Sequence, residues 1–416
     1  MSSDWQFDTK AIHGGGKSDK EFGGTMPPIH LSAAFNYPDG ESLQNVFEGK
    51  EFGYIYSRIS NPTLSQTERL ITQIEGARGS ILTSSGMSAI AVAIYSLVSA
   101  GDEIVASKSL FGGTRDFFEE LLKRFGVKVN YVDSQDVVGF KAAVNEKTRL
   151  IFVESIGNPK LDVPNFTALS EIATEAGIPL VVDSTVTSPV LLNGKASGIH
   201  IIIHSTTKYL TGNGTAIGGV VVDTGLMKWK TTTVPTIQSV VTQMGDMAFL
   251  GYARSKVFIN LGVSPSPFNA FLIYAGIETL PLRMERHCEN AQKLAEFLEG
   301  HSEVKVVAYP GLKSHANHEA AKTHFKNRFG GLLTLRLGSK DRCFKVIKAL
   351  KLVSHLANLG DAKTLVIHPA STIYSKYSTA DKEACGAPED LLRISVGIEH
   401  INDIIADFES ALASLK

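Results

Sequence analysis

The chain has little cysteine: Cys288, Cys343 and Cys385 are its three, far apart and without a Cys-x-x-Cys pair. That usage speaks against a disulfide framework and a structural zinc site, and for reduced thiols in a cytoplasmic compartment. No apolar run reaches membrane-spanning length, so no membrane partner is expected. The opening Met1-Ser2-Ser3-Asp4-Trp5-Gln6 lacks the charged-then-apolar layout of a signal peptide. Excess charge is absent as well. The formal net charge is −1 and no basic run is interleaved with aromatics, which leaves no reason to expect a nucleic-acid partner. Internal repeats and low-complexity linkers are also missing. What is present, 43% apolar and 20% charged residues, is an ordinary globular composition.

At 416 residues the chain is longer than one typical core. Residues 1–65 show little periodicity and are crowded with Gly and Pro, yet they carry Phe35, Tyr37, Phe47, Phe52, Tyr54 and Tyr56. Disordered tails are poor in aromatics, so an ordered, extended arm is expected, with a neighbouring subunit as its natural support. Within it Asn61-Pro62 marks a turn into a helix over Leu64 to Glu75. Arg58, in Tyr56-Ser57-Arg58, is either solvated beside that turn or part of a site.

From Ser80 to Val222 short apolar runs alternate with amphipathic stretches. The runs are Ile81-Leu82, Glu103 to Ala106, Val127 to Val129, Leu150 to Val153, Leu180 to Val182, Ile201 to Ile203 and Gly219 to Val222. Helical segments such as Phe117 to Phe125 and Phe166 to Ala176 lie between them. This succession implies right-handed crossovers and an α/β fold, a mostly parallel sheet with helices on both faces. A large domain is therefore placed at 66–262 and a smaller α+β domain at 263–416. Ser264-Pro265-Ser266-Pro267-Phe268-Asn269 reads as a rigid connector between them. The smaller domain shows a helix over Pro281 to Leu298 and strands near Val304 to Ala308, Leu332 to Leu337 and Leu392 to Val396. Further helices fall near Asp341 to Leu350 and Ile401 to Leu415. His301, His315, His318 and His324 sit among Lys313, Asn317 and Lys322 and read as solvated surface, not metal ligands.

The chemistry clusters at strand ends, where ligands of open α/β sheets bind. Ile201-Ile202-Ile203 stops in His204-Ser205-Thr206-Thr207-Lys208, a lysine just past a strand buried on both faces. Lys208 is a candidate imine-forming amine with Ser205 and Thr207 as anion ligands; a helix cap followed by an exposed lysine is the plainer alternative. Ser84-Ser85-Gly86-Met87 opens an apolar helix whose free N–H groups make a phosphate seat. Neither a Gly-x-Gly-x-x-Gly fingerprint nor a P-loop accompanies it. In Leu110-Phe111-Gly112-Gly113 the glycines let backbone approach a ligand and carry Phe111 over it, unless Phe111 is plain core. Asp183 ends Leu180-Val181-Val182, and a carboxylate there needs a cation or donors. A protonated pyridine nitrogen meets that need. Arg393 stands among apolar neighbours in Leu391 to Gly397, where a guanidinium grips a carboxylate of the substrate or of the protein itself. Amine, phosphate seat, aromatic and acid together describe a pyridoxal phosphate site.

Taken together the motifs resemble the Cys/Met-metabolism family of pyridoxal phosphate enzymes over nearly the whole chain, and within it the O-acetylhomoserine sulfhydrylase group. The resemblance rests on Tyr56-Ser57-Arg58 with Asn61-Pro62-Thr63, Ser85-Gly86-Met87, Asp183, Ser205-x-Thr207-Lys208, Ser266 to Phe271, His368-Pro369-Ala370-Ser371 and Arg393 to His400. It implies the aspartate-aminotransferase-like fold, fold type I, and a tetramer built from tight dimers. It implies that Tyr56 and Arg58 reach the cofactor phosphate of the neighbouring subunit, while Gly86, Met87, Ser205 and Thr207 hold that phosphate from within. Asn158 is then expected near the cofactor's phenolic oxygen, and Arg393 on the substrate carboxylate.

Two departures narrow the expected reaction. The γ-eliminating lyases of the family place a tyrosine over the ring, followed two residues on by a cysteine; Phe111 and Gly113 stand there in this chain. Stacking survives with phenylalanine, but the phenol that protonates a leaving group is gone. A thiolate needs such an acid far more than acetate or succinate does. Asn358 stands where many relatives carry serine, which fits the sulfhydrylases and assigns Asn358 to the substrate. The expected activity is γ-replacement on O-acetyl- or O-succinylhomoserine, with sulfide giving homocysteine for methionine biosynthesis. Lys208 acts as base and Asp183 keeps the ring nitrogen protonated. A methionine γ-lyase, or a cystathionine γ-synthase or γ-lyase, is the alternative; a cofactor-free binding protein is the rival of another class.

Overall fold

The seven apolar runs pair into one sheet: β1 Gly79–Thr83, β2 Glu103–Ser107, β3 Lys128–Val132, β4 Thr148–Glu154, β5 Leu180–Asp183, β6 Ile201–His204 and β7 Gly219–Asp223. The computed structural model describes residues 5–16, 19 and 21–416. Met1 to Asp4, on which the reading of the N-terminus partly rests, and Lys17, Ser18 and Lys20 of the arm lie outside the described residues. Strand order is β1-β7-β6-β5-β4-β2-β3. Strands β6, β5, β4, β2 and β3 run parallel, whereas β7 is antiparallel to both neighbours. The reason lies in the connection: residues 205–218 contain no helix, and without a crossover element the chain returns antiparallel. The return brings Ile217 and Gly218, just before β7, to the same edge as the carboxyl ends of the parallel strands. Helices cover both faces, so Val181, Val182, Ile201, Ile202 and Ile203 are at most 1% exposed. The fold is α/β of the expected kind.

A second sheet follows: β8 Val306–Ala308, β9 Leu332–Arg336, β10 Ser354–His355, β11 Leu365–Ile367 and β12 Leu391–Ser395, in the order β10-β11-β12-β9-β8. It is antiparallel apart from β10 and β11. Helix Leu280–Glu299 lies against β8 and β9 and reaches the first sheet's site loop, where Arg283 Nη1 donates to Tyr209 O at 2.7 Å.

Several local expectations need correction. The arm is not wholly extended: helices Phe7–His13 and Gly40–Phe47 interrupt it, the second capped by the Asp39 side chain on Ser42 N–H. The connector ends early, because Ser266 caps and Pro267 opens helix Pro267–Glu278; proline's fixed φ suits a first helical position. Phe117 to Phe125 is helical, but as a wide π turn over Phe117–Leu122 and a tight 3-10 turn over Lys123–Phe125. The four histidines are half-buried rather than solvated: His318 Nδ1 bonds Pro310 O at 2.9 Å and His324 packs edge-on to Phe166. Among the described residues, no group of three or more His, Cys, Asp or Glu is placed to hold a metal ion. None of the described helices is long and apolar enough to cross a membrane.

Candidate active site

Strands β1, β2, β4, β5 and β6 end around one cavity of about 330 Å³, within the usual range of small-molecule sites. Ser85, Gly86, Met87, Phe111, Asn158 and Asp183 line it from the first sheet. Ser205, Thr207 and Lys208 join them from beyond β6, and Asn358 and Arg393 come from the second sheet's side.

Lys208 lies four residues beyond the end of β6, and its Nζ donates to Asn358 Oδ1 at 2.5 Å. Burial, with the Arg393 guanidinium adding repulsion, brings its ammonium down from 10.5 to about 8. Arg393 is 3% exposed. Its Nη1 donates to Asn158 Oδ1 at 2.9 Å and its Nη2 to Asn358 O at 3.1 Å, while Nε is buried without a partner. Among the described residues no carboxylate pairs with it. A buried guanidinium held only by neutral acceptors is a receptor for an anion from outside.

Asp183 ends β5 and keeps part of its surface open to the cavity. It is enclosed deeply enough that burial raises its carboxyl, against hydrogen bonds from Thr185, whose N–H donates to Oδ1 at 3.0 Å. Next to it, in register on the neighbouring strand, stands Glu154. Burial and the Asp183 charge push Glu154 well above the usual carboxylate range. Glu154 carries no role in the sequence reading, although it ends the apolar run Leu150 to Val153 as Asp183 ends Leu180 to Val182. That shared placement is the signal that points to it.

Gly86 opens helix Gly86–Leu97, capped by Ser85, whose side chain accepts from Ser88 N–H at 3.1 Å. A Cβ on Gly86 would meet Ser205 Cβ at 2.7 Å, so the helix start and the loop after β6 close on each other only with glycine. The first N–H groups of the helix and the Ser205 side chain therefore meet at one corner of the cavity, an arrangement suited to phosphate, and Thr207 lines the same cavity with its hydroxyl bonded to the Gly218 backbone. Phe111, 37% exposed, forms one wall, and a Cβ on Gly113 would meet its Cε1 at 2.7 Å. Tyr56 and Arg58 are not brought to this cavity. Arg58 Nη1 instead donates to Ile259 O at 3.0 Å and lies over the half-exposed Tyr56 ring.

A lowered amine, a carboxylate enclosed at a strand end, an anion corner and an aromatic wall fit pyridoxal phosphate. Comparisons with known proteins agree. The profile described as Cys/Met metabolism PLP-dependent enzyme matches residues 8–413. The homocysteine synthase of Schizosaccharomyces pombe is 41% identical over 98% of this chain and 98% of its own length. The O-acetyl-L-homoserine sulfhydrylase of Leptospira meyeri is 39% identical over 100% of this chain and 98% of its own. A Campylobacter jejuni crystal structure carrying N'-pyridoxyl-lysine-5'-monophosphate superposes with a TM-score of 0.94 at 32% identity, covering 98% of this chain and 100% of that one. With its strand-end lysine and acid set around one cavity, the chain belongs to the pyridoxal-phosphate-dependent enzymes of Cys/Met metabolism.

Proposed function

We propose that this enzyme replaces the γ-ester of an O-acylated homoserine with sulfide to give homocysteine, a step of methionine biosynthesis. Phe111 carries the reading: the wall over the cavity offers a ring without a phenol. An acetate or succinate leaves without a proton donor at that place, whereas a thiolate does not. The names borne by the Schizosaccharomyces pombe and Leptospira meyeri relatives support the same reaction, with O-acetylhomoserine as first donor.

Bound pyridoxal phosphate supplies an electron-accepting ring that stabilises carbanions next to the substrate nitrogen. The protein's residues do the rest. Arg393 binds the substrate carboxylate through the guanidinium edge that the protein leaves unpaired. Lys208 holds the cofactor, and its Nζ then takes the proton from the substrate Cα and shuttles it between carbons; a pKa of about 8 suits an amine to both halves of that work. Asn358 Oδ1 aims that Nζ. Asp183 holds a proton on the ring nitrogen, and Asn158 stands by the phenolic oxygen. Ser85, Gly86, Met87, Ser205 and Thr207 seat the phosphate, and Phe111 stacks on the ring. Tyr56 and Arg58 complete the phosphate seat of a neighbouring copy, in a tetramer of tight dimers. That all three thiols are free and buried supports a reducing, cytoplasmic setting.

The test is a steady-state assay of the cofactor-loaded enzyme. Homocysteine should form from sulfide with O-acetyl- or O-succinylhomoserine, and 2-oxobutanoate should form slowly from methionine and cystathionine without sulfide. Rapid 2-oxobutanoate release from either thioether would overturn the reading in favour of a γ-lyase.

A further inference from the structure

Glu154 ends β4, is 5% exposed, and divides its two carboxylate oxygens between two loops. Oε1 accepts the Phe111 N–H at 2.5 Å, from the loop after β2. Oε2 accepts the Asn158 N–H at 3.1 Å, from the loop after β4. The first loop carries the aromatic wall. The second carries Asn158, whose Oδ1 receives Arg393 Nη1 at 2.9 Å. Arg393 Nη2 donates in turn to Asn358 O at 3.1 Å, and Asn358 Oδ1 receives Lys208 Nζ at 2.5 Å. A hydrogen-bonded path therefore runs from the Phe111 backbone, through Glu154, to the amine.

We propose that Glu154 is a positioning residue: it brackets the β2 and β4 loops, fixing the tilt of Phe111 over the cofactor and, through Asn158, the setting of Arg393. The two N–H donors arrive from different loops and each takes its own oxygen of the carboxyl group. Of the side chains of this length only a carboxyl group offers two acceptor oxygens, because an amide presents one oxygen and one NH2. Keeping a second carboxyl group beside Asp183 in a buried site is costly. A residue that merely filled the space would avoid that cost, whereas a bracket needs both oxygens. The inference rests on the pyridoxal phosphate reading of the cavity and deepens it.

The experiment compares cofactor-loaded wild type, Glu154→Gln and Glu154→Asp, the last keeping the carboxyl group but too short to span both loops. Two readouts are taken beside activity. The visible circular dichroism of the bound cofactor reports how the ring is held, and the thermal unfolding of the cofactor-free protein reports the fold. Both variants should alter the visible dichroism and lower kcat for O-acetylhomoserine and sulfide on the order of tenfold to a hundredfold, the scale of a small misplacement of reacting groups. In a Phe111→Leu background, which removes the ring that the bracket aims, Glu154→Gln should change the dichroism little further. Lower thermal stability with unchanged dichroism and kcat would overturn the proposal, as would fully additive effects in the double variant. If Glu154→Gln is insoluble, Glu154→Asp carries the same comparison. Failure of the sulfhydrylase reading looks different: wild type makes no homocysteine, yet the dichroism still responds to Glu154.

Discussion

His204 and Glu75 form a sealed pair beneath the site: His204 Nε2 and Glu75 Oε1 are 2.5 Å apart, and neither side chain is more than 1% exposed. The other ring nitrogen, Nδ1, faces Ser184 O at 3.1 Å, and a carbonyl oxygen only accepts. Both ring nitrogens thus face oxygens, Glu75 Oε1 on one side and Ser184 O on the other, which fix the orientation of the buried ring. Ser184 follows Asp183 directly, so the pair also pins the strand end that presents the acid. Glu75→Leu leaves His204 Nε2 without its hydrogen-bond partner in a dry interior. That change is expected to cost about 2 kcal/mol of stability, read from urea unfolding of the cofactor-free protein. A loss within experimental error would show the pair to be dispensable.

The lowered amine of Lys208 has a kinetic consequence. Only the unprotonated amine attacks the cofactor aldehyde, and a depressed pKa makes that form available at lower pH. Reconstitution of the cofactor-free enzyme with pyridoxal phosphate should therefore accelerate with pH, with a midpoint near the value of about 8, not at 10.5. Arg393→Leu removes the neighbouring positive charge and should move the midpoint upward. An unchanged midpoint in that variant would leave burial alone as the cause. Lys208→Ala should abolish both turnover and the visible absorbance of the attached cofactor.

Arg58 and Lys208 lie in different places of one chain, since Arg58 bonds Ile259 O and not the cavity that Lys208 lines. If each site combines one chain's Lys208 with its neighbour's Arg58, two inactive variants should complement. In a mixed dimer of Arg58→Ala and Lys208→Ala chains, one site collects both defects and the other has neither. Co-expression of the two, with separate affinity tags, should restore turnover and cofactor retention. If no activity appears in the mixed species, Arg58 does not act across the interface.

Most of the first sheet was legible because its strands are buried on both faces, which writes them as unbroken apolar runs such as Ile201 to Ile203. The short strands Ser354–His355 and Leu365–Ile367 were not, since two or three residues carry no period. Within the site, Lys208 and Asp183 announce themselves as charges at the ends of such runs. Glu154 has the same placement, but its bonds go to backbone N–H groups, which no side-chain pattern records. Asn358 meets Lys208 across 150 positions of chain, so its hydrogen bond to the amine is a fact of the folded state alone.

The Phe111 wall offers the sharpest test of specificity. Phe111→Tyr places a phenol at the ring position while keeping the stack, so homocysteine formation from O-acetylhomoserine should stay within roughly threefold of wild type. Release of 2-oxobutanoate from methionine should rise by at least about tenfold, short of the full contribution of a well-placed general acid. The shortfall has a structural cause in Gly113. With no side chain there the ring lies so close that a Cβ would sit 2.7 Å from Phe111 Cε1. A tyrosine in that pose points its hydroxyl where this backbone, not a lyase's, directs it. Adding Gly113→Cys forces the ring to swing, so the double variant should differ from the sum of the singles in its methionine cleavage. If Phe111→Tyr raises no thioether cleavage in either background, the missing phenol is not what separates ester replacement from thioether cleavage in this enzyme. Discrimination must then reside in the walls that meet the leaving group, with Asn358 the first residue to vary.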